Sequence, residues 1–124
     1  MERKSTPGPV VHLELHTGDQ VSACAFYSRL LGWSYVRVDT RAGSYLSTDL
    51  GRALGSGGVV ECTTERPLWL PYAEVPDVSV TTARALRLGA ELLLEPREGP
   101  AGWRSVVRSP TGGEVAFWQP KSPR

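Results

Sequence analysis

Charge of one sign is what this sequence lacks most plainly. Fourteen basic residues face thirteen acidic ones, for a net charge of +1. Such a balance offers no field to gather nucleic acid or an anionic membrane, and neither is expected as a partner. Long apolar runs are missing too. No segment approaches the ~18 apolar residues of a membrane span, and the opening MERKSTPG has no apolar stretch of the kind found in a secretory leader. Cysteine is scarce. Cys24 and Cys62 stand far apart, outside any CxxC or Cys/His spacing, and read as reduced thiols of a cytoplasmic protein. Histidine is scarcer in placement than in number, since both copies, His12 and His16, fall in one short segment. No Ser-His-Asp or Cys-His arrangement stands out, and no nucleophile is placed by motif. Gly51, Gly55, Gly57 and Gly58 do not link a strand to a helix. They are therefore no phosphate loop and read as a flexible connection.

What is present is an ordinary globular composition, 40% apolar and 22% charged over 124 residues, the length of one domain. Residues 1–9 read as a flexible lead, 10–120 as the domain, and 121–124 as a frayed tail. VVHLELH at 10–16 alternates: Val11, Leu13 and Leu15 point one way, His12, Glu14 and His16 the other. That period of two predicts a strand. Asp19 then caps a helix over 20–31 that Gly32 closes, with Ala23, Phe26, Tyr27 and Leu30 as its core stripe. Strands are predicted over 33–38, 45–49 and 58–63. The order then restarts with a strand over 68–75, a helix over 78–88 opened by Asp77 and closed by Gly89, and strands over 91–94, 103–109 and 114–119. Residues 96–102 are expected to be a loop. The second half overlays the first, Asp77 on Asp19 and Leu88-Gly89 on Leu31-Gly32, so the modules are 10–63 and 68–120. Each half alone has a helix and a sheet with one apolar face. Side by side they would make one curved eight-stranded sheet, helices on the outer face and a cleft inside.

In order, Asp19, Phe26-Tyr27, Leu31-Gly32-Trp33, Asp77-Val78, Leu88-Gly89-Ala90 and Ser109-Pro110-Thr111-Gly112 run along nearly the whole domain. This succession resembles the vicinal oxygen chelate superfamily, which includes glyoxalase I, bleomycin-resistance proteins and extradiol dioxygenases. The resemblance implies an α+β fold of two βαβββ modules with a mixed sheet. It leaves the chemistry open, because the fold hosts unrelated reactions.

Metal-dependent members of that superfamily carry a ligand seven residues before the first helix-capping Asp, which is His12 here. The matching position of the second module is Leu70, and the ligand of the last strand falls on Ala116. Neither side chain can coordinate, and the fourth position falls among Tyr45, Ser47 and Asp49. A transition metal needs three or four protein ligands, so no metal and no cofactor is expected. A shifted set of His12, Glu14 and Glu74 is the alternative.

The remaining inner face would pair His12, Glu14 and His16 with Leu70, Tyr72 and Glu74. Tyr45, Trp103, Arg104 and Phe117 are further lining candidates. Aromatic faces beside a few polar groups suit a small organic molecule, aromatic or polycyclic. His12 and Glu14 are the candidate catalytic or ligand-orienting groups, His16 a solvated rim residue, and Trp33 and Trp118 core or dimer contacts. The expected function is metal-independent binding of a small molecule, as bleomycin-resistance proteins do. The alternative is a lyase, isomerase or dioxygenase-type enzyme with His12 or Glu14 as general base or as part of a shifted metal site. Four tryptophans in so short a chain point to a homodimer.

Overall fold

A strand, an Asp-capped helix and three further strands follow one another twice along the chain. The computed structural model describes residues 7–41, 43–52, 55–64 and 66–121. The elements are β1 (Val10–Thr17), α1 (Gln20–Leu31), β2 (Val36–Thr40), β3 (Gly43–Asp49), β4 (Ser56–Glu61), β5 (Leu68–Glu74), α2 (Val78–Arg87), β6 (Glu91–Glu98), β7 (Gly102–Arg108) and β8 (Glu114–Pro120). Hydrogen bonds order the strands β2-β3-β4-β1-β5-β8-β7-β6. β1 and β4 run parallel, whereas β2–β3, β3–β4, β6–β7 and β7–β8 are antiparallel. The fold is thus an α+β arrangement with an eight-stranded mixed sheet, as the repeat predicts. The described chain packs as two compact units that change over inside β5: residues of Val11–Tyr72 form one, and 73–121, with 7–10, form the other.

In the unit of Val11–Tyr72, Asp19 accepts a hydrogen bond from the Ser22 amide at 3.0 Å and so satisfies one of the orphan donors that open α1. Gly32 ends the helix at φ +75°, a left-handed conformation that favours glycine, and its N–H donates to Ser28 O. The expected core stripe is only half right. Tyr27 is half-buried, stacks on Trp33 at 5.2 Å and accepts a hydrogen bond from Trp69 Nε1 at 3.2 Å. Phe26 and Leu30 instead remain 58% and 64% exposed. The helix lies down on its Gln20–Tyr27 side, where Gln20 Nε2 donates to Val59 O of β4. Helical spacing alone cannot say which of two adjacent apolar stripes faces inward.

The glycine-rich stretch holds the largest departure from expectation. β4 begins at Ser56, two residues before the expected start at Gly58, and takes in Gly57, which was expected to be part of a connection. Glycine marks close packing here. A Cβ on Gly57 would lie 2.5 Å from Leu50 Cγ, and one on Gly58 would lie 3.3 Å from the Tyr45 ring. β2 starts at Val36, three residues after the expected strand start, because the Trp33 side chain is taken up by Tyr27 and Trp69.

In the other unit, Asp77 accepts from the Val80 amide at 3.0 Å to open α2. Val78 and Thr82 of that helix are buried, and Thr82 Oγ1 lies 2.8 Å from the buried Ser105 Oγ of β7. β6 runs through Pro96 to Glu98, although 96–102 were expected to be a loop. It manages this with two register shifts against β7, where an edge strand can carry proline without losing a ladder bond. Lys121 is not frayed as expected: its N–H donates to Ala101 O at 3.0 Å and its Nζ pairs with Glu98 at 2.7 Å. Pro9, assigned to the lead, accepts from the Glu74 amide at 2.8 Å. Met1–Thr6 and residues 122–124 lie outside the described residues.

Candidate functional site

Alternation along β1 puts His12, Glu14 and His16 on one face, and the neighbouring strands extend that face by register. The parallel β1–β4 ladder sets His12 beside Ser56 and Glu14 beside Gly58. The antiparallel β3–β4 ladder pairs Ser47 with Gly58, so Tyr45, Ser47 and Asp49 share the face. Tyr72 of β5 reaches the same place and donates its hydroxyl to Glu14 Oε1 at 3.0 Å.

The centre of the cluster is the Glu14 carboxylate, whose side chain is 14% exposed. His16 Nε2 lies 2.7 Å from Oε1 and His12 Nε2 lies 3.3 Å from Oε2. On its other nitrogen, His12 Nδ1 lies 2.6 Å from Ser56 Oγ. The His12 ring packs edge-on against Tyr72, centroids 5.2 Å apart. Burial by itself would push the Glu14 carboxyl up. The hydrogen bonds from His12 and His16, the charge His16 carries when protonated, and the Tyr72 hydroxyl outweigh it and hold the carboxyl well below the usual carboxylate range.

That assignment fixes the protons. An ionised carboxylate only accepts, so both Nε2 atoms and the Tyr72 hydroxyl carry the hydrogens directed at Glu14. A neutral His12 protonated on Nε2 presents a bare lone pair on Nδ1, and Ser56 must then donate to it.

The structure brings His12, Glu14, Tyr45 and Tyr72 onto one face, with Tyr45 and His12 both over Gly58. Leu70 is 1% exposed, two residues before Tyr72 on β5, and so sits in the core. The candidates of the other unit separate. In the β7–β8 ladder Ser105 faces Phe117 and Trp103 faces Gln119. Ser105 and Gln119 both bond to α2, so Trp103 and Phe117 lie on the face that carries the helix. Arg104 pairs with Trp118 and lies on the opposite face with Ala116. The grouping of Trp103, Arg104 and Phe117 as one lining is therefore corrected: alternation makes it impossible. Lys121 Nζ covers the Trp103 ring at 5.7 Å. Glu74 is half-buried at the end of β5.

Three members of the cluster were missed by reading the sequence. His16 was expected to be solvated but is a donor to Glu14. Ser56 and Gly58 were hidden in the glycine-rich stretch. An earlier start for β4 in parallel with β1 would have put Ser56 opposite His12, but nothing in the linear pattern announces a parallel pairing.

The metal site of the superfamily does not fit these residues. Leu70 and Ala116, at two ligand positions, are buried and lack donor atoms, and both His12 nitrogens are engaged by Glu14 and Ser56. Among the described residues no three His, Cys, Asp or Glu side chains gather to hold a metal ion.

The sequence of residues 11–118 matches the family model described as a glyoxalase-like domain. The chain belongs to the glyoxalase-like domain family. With that family it falls in the vicinal oxygen chelate superfamily. Among curated relatives, "Putative glyoxylase CFP32" of Mycobacterium bovis and of Mycobacterium tuberculosis are each 31% identical over 124 residues. The match takes 94% of this chain and 46% of theirs, so this glyoxalase-like chain spans about half the length of the curated relatives it matches. Among solved structures, the hypothetical protein BH1468 from Bacillus halodurans C-125 superposes with a TM-score of 0.67 at 12% identity, over 94% of this chain and 96% of that one. Methylmalonyl-CoA epimerase from Mycobacterium tuberculosis gives 0.62 at 17% identity, over 99% and 94%. At such identities the likeness is one of fold.

Proposed function

We propose that this glyoxalase-like chain binds a small aromatic or polycyclic molecule over the β1 face around Glu14, without a metal, in the cytoplasm and as a homodimer. The observation that carries the reading is the threefold-bonded Glu14 carboxylate. A carboxylate that three donors hold ionised is a poor proton acceptor and a good fixed anchor. Glu14 as general base is accordingly disfavoured. The Tyr45 ring and the edge-on His12–Tyr72 pair give flat apolar surface beside that anchor, the mixture expected of a small-molecule site. Metal independence is supported by the missing donors at Leu70 and Ala116. The free Cys24 and Cys62 suit a reducing compartment.

The test is a thermal-shift screen of aromatic natural products, run beside elemental analysis of the same preparation. The expected result is a stabilising ligand whose affinity falls about tenfold in Glu14→Gln and Tyr45→Ala. A panel that yields no stabiliser, or one equivalent of bound transition metal, would overturn the reading.

A further inference from the structure

We propose that Ser56 is an activated nucleophile, with His12 as its base and Glu14 as the group that orients the base, and that it accepts acyl groups from small activated esters. This goes beyond ligand binding and does not depend on it. The geometry has the three parts that such a step requires. An exposed hydroxyl stands 2.6 Å from an imidazole nitrogen, and the far nitrogen of that imidazole stands 3.3 Å from a carboxylate. The nitrogens exchange their customary roles, since Nδ1 faces the hydroxyl and Nε2 faces the acid. Imidazole chemistry is indifferent to that exchange, because either nitrogen accepts a proton once the other carries one.

The third group is itself immobilised. His16 and Tyr72 both bond Glu14 Oε1, which leaves Oε2 directed at His12. Gly58, opposite Glu14 in the ladder, has no side chain to displace the imidazole; a Cβ there would come within 3.4 Å of His12 Nε2. Gly55, which precedes Ser56 at φ +84°, would set a Cβ within 4 Å of no atom of the other described residues.

Ser56 Oγ bonds to the ester carbonyl carbon while its proton passes to His12 Nδ1. The carbon–oxygen bond to the leaving group then breaks, and His12 returns the proton to the departing oxygen. Water repeats the sequence on acyl-Ser56: it gives a proton to His12, bonds to the carbonyl carbon and frees the acid, and the proton returns to Ser56 Oγ. The sum is ester plus water to acid plus alcohol.

The experiment incubates the full chain with p-nitrophenyl acetate and with a fluorophosphonate, followed by intact mass and peptide mapping. One adduct on Ser56 is expected from each reagent. Ser56→Ala should abolish it, and His12→Gln should slow it about a hundredfold. Denaturation in urea should abolish it as well, because an isolated serine is unreactive; this control reports on the arrangement even if a variant folds poorly. No adduct on the folded chain, an adduct on another residue, or equal labelling in urea would overturn the assignment. Failure of the ligand screen with Ser56 labelling intact would leave this inference standing and remove the binding proposal alone.

Discussion

A carboxylate held by three donors responds to acid differently from one in water. The Glu14 carboxyl lies below its ordinary value of 4.5 in the folded chain, so its bonds add stability above that value and the contribution is lost as pH falls through the lower folded value. The groups that face it are His12, His16 and Tyr72. Glu14→Gln is expected to cost about 1–3 kcal/mol at neutral pH, since the donors lose a charged acceptor. Urea denaturation at neutral pH and at about pH 3 should show the gap between wild type and variant shrinking in acid, where the unfolded carboxyl is already protonated. A gap that does not change with pH would show that Glu14 is not the ionised centre of the cluster. The residues of the cluster were unequally legible. His12, Glu14 and Tyr72 follow from alternation within a strand and from the repeat. Ser56 does not, because its place opposite His12 depends on a parallel ladder between strands about forty residues apart.

At the scale of elements, the two helices were read correctly because their signals are local. Asp19, Gly32 and Asp77 act within one turn of where they stand, and each does in the structure what its type predicts. Strand limits were harder. Glycine and proline stand inside β4 and β6, where they serve close packing and an edge, and they had been taken as breaks. Gly102, which opens β7, shows the same logic sharply. A Cβ there would lie 2.2 Å from Gln119 O on the paired strand β8, a backbone atom that cannot step aside. Gly102→Ala is expected to destabilise the chain by about 3 kcal/mol. Chemical denaturation reads this directly, and an unchanged midpoint would mean that the two strands part more easily than their ladder implies.

For the whole molecule, the surface that a partner would cover is not the one tryptophan suggests. Tryptophan suggested a partner from the sequence, yet Trp33 and Trp69 are engaged with Tyr27, and Lys121 lies over Trp103. Apolar surface is left outside at several places, Val36, Val80 and Leu88 among them, and four such side chains gather on α1, where Val21, Phe26, Leu30 and Leu31 are all more than half exposed. A patch of that kind on one helix is what a second copy would cover. Light scattering at micromolar concentration should give a dimer, and Phe26→Glu with Leu30→Glu should give a monomer without loss of the Ser56 adduct. A monomeric wild type would remove the homodimer. No helix among the described residues is long and apolar enough to cross a bilayer.

By itself the sequence determined the repeated strand–helix–strand order, the helix caps, the superfamily and the absence of donors at positions 70 and 116. These rest on patterns that reach a few residues along the chain or recur at a fixed interval. Only tertiary structure decided which stripe of α1 stays exposed, which face of β7–β8 carries Trp103 and Phe117, and that Ser56 meets His12. Those outcomes depend on ladder register between distant segments, where a shift of one residue would turn every side chain to the other face.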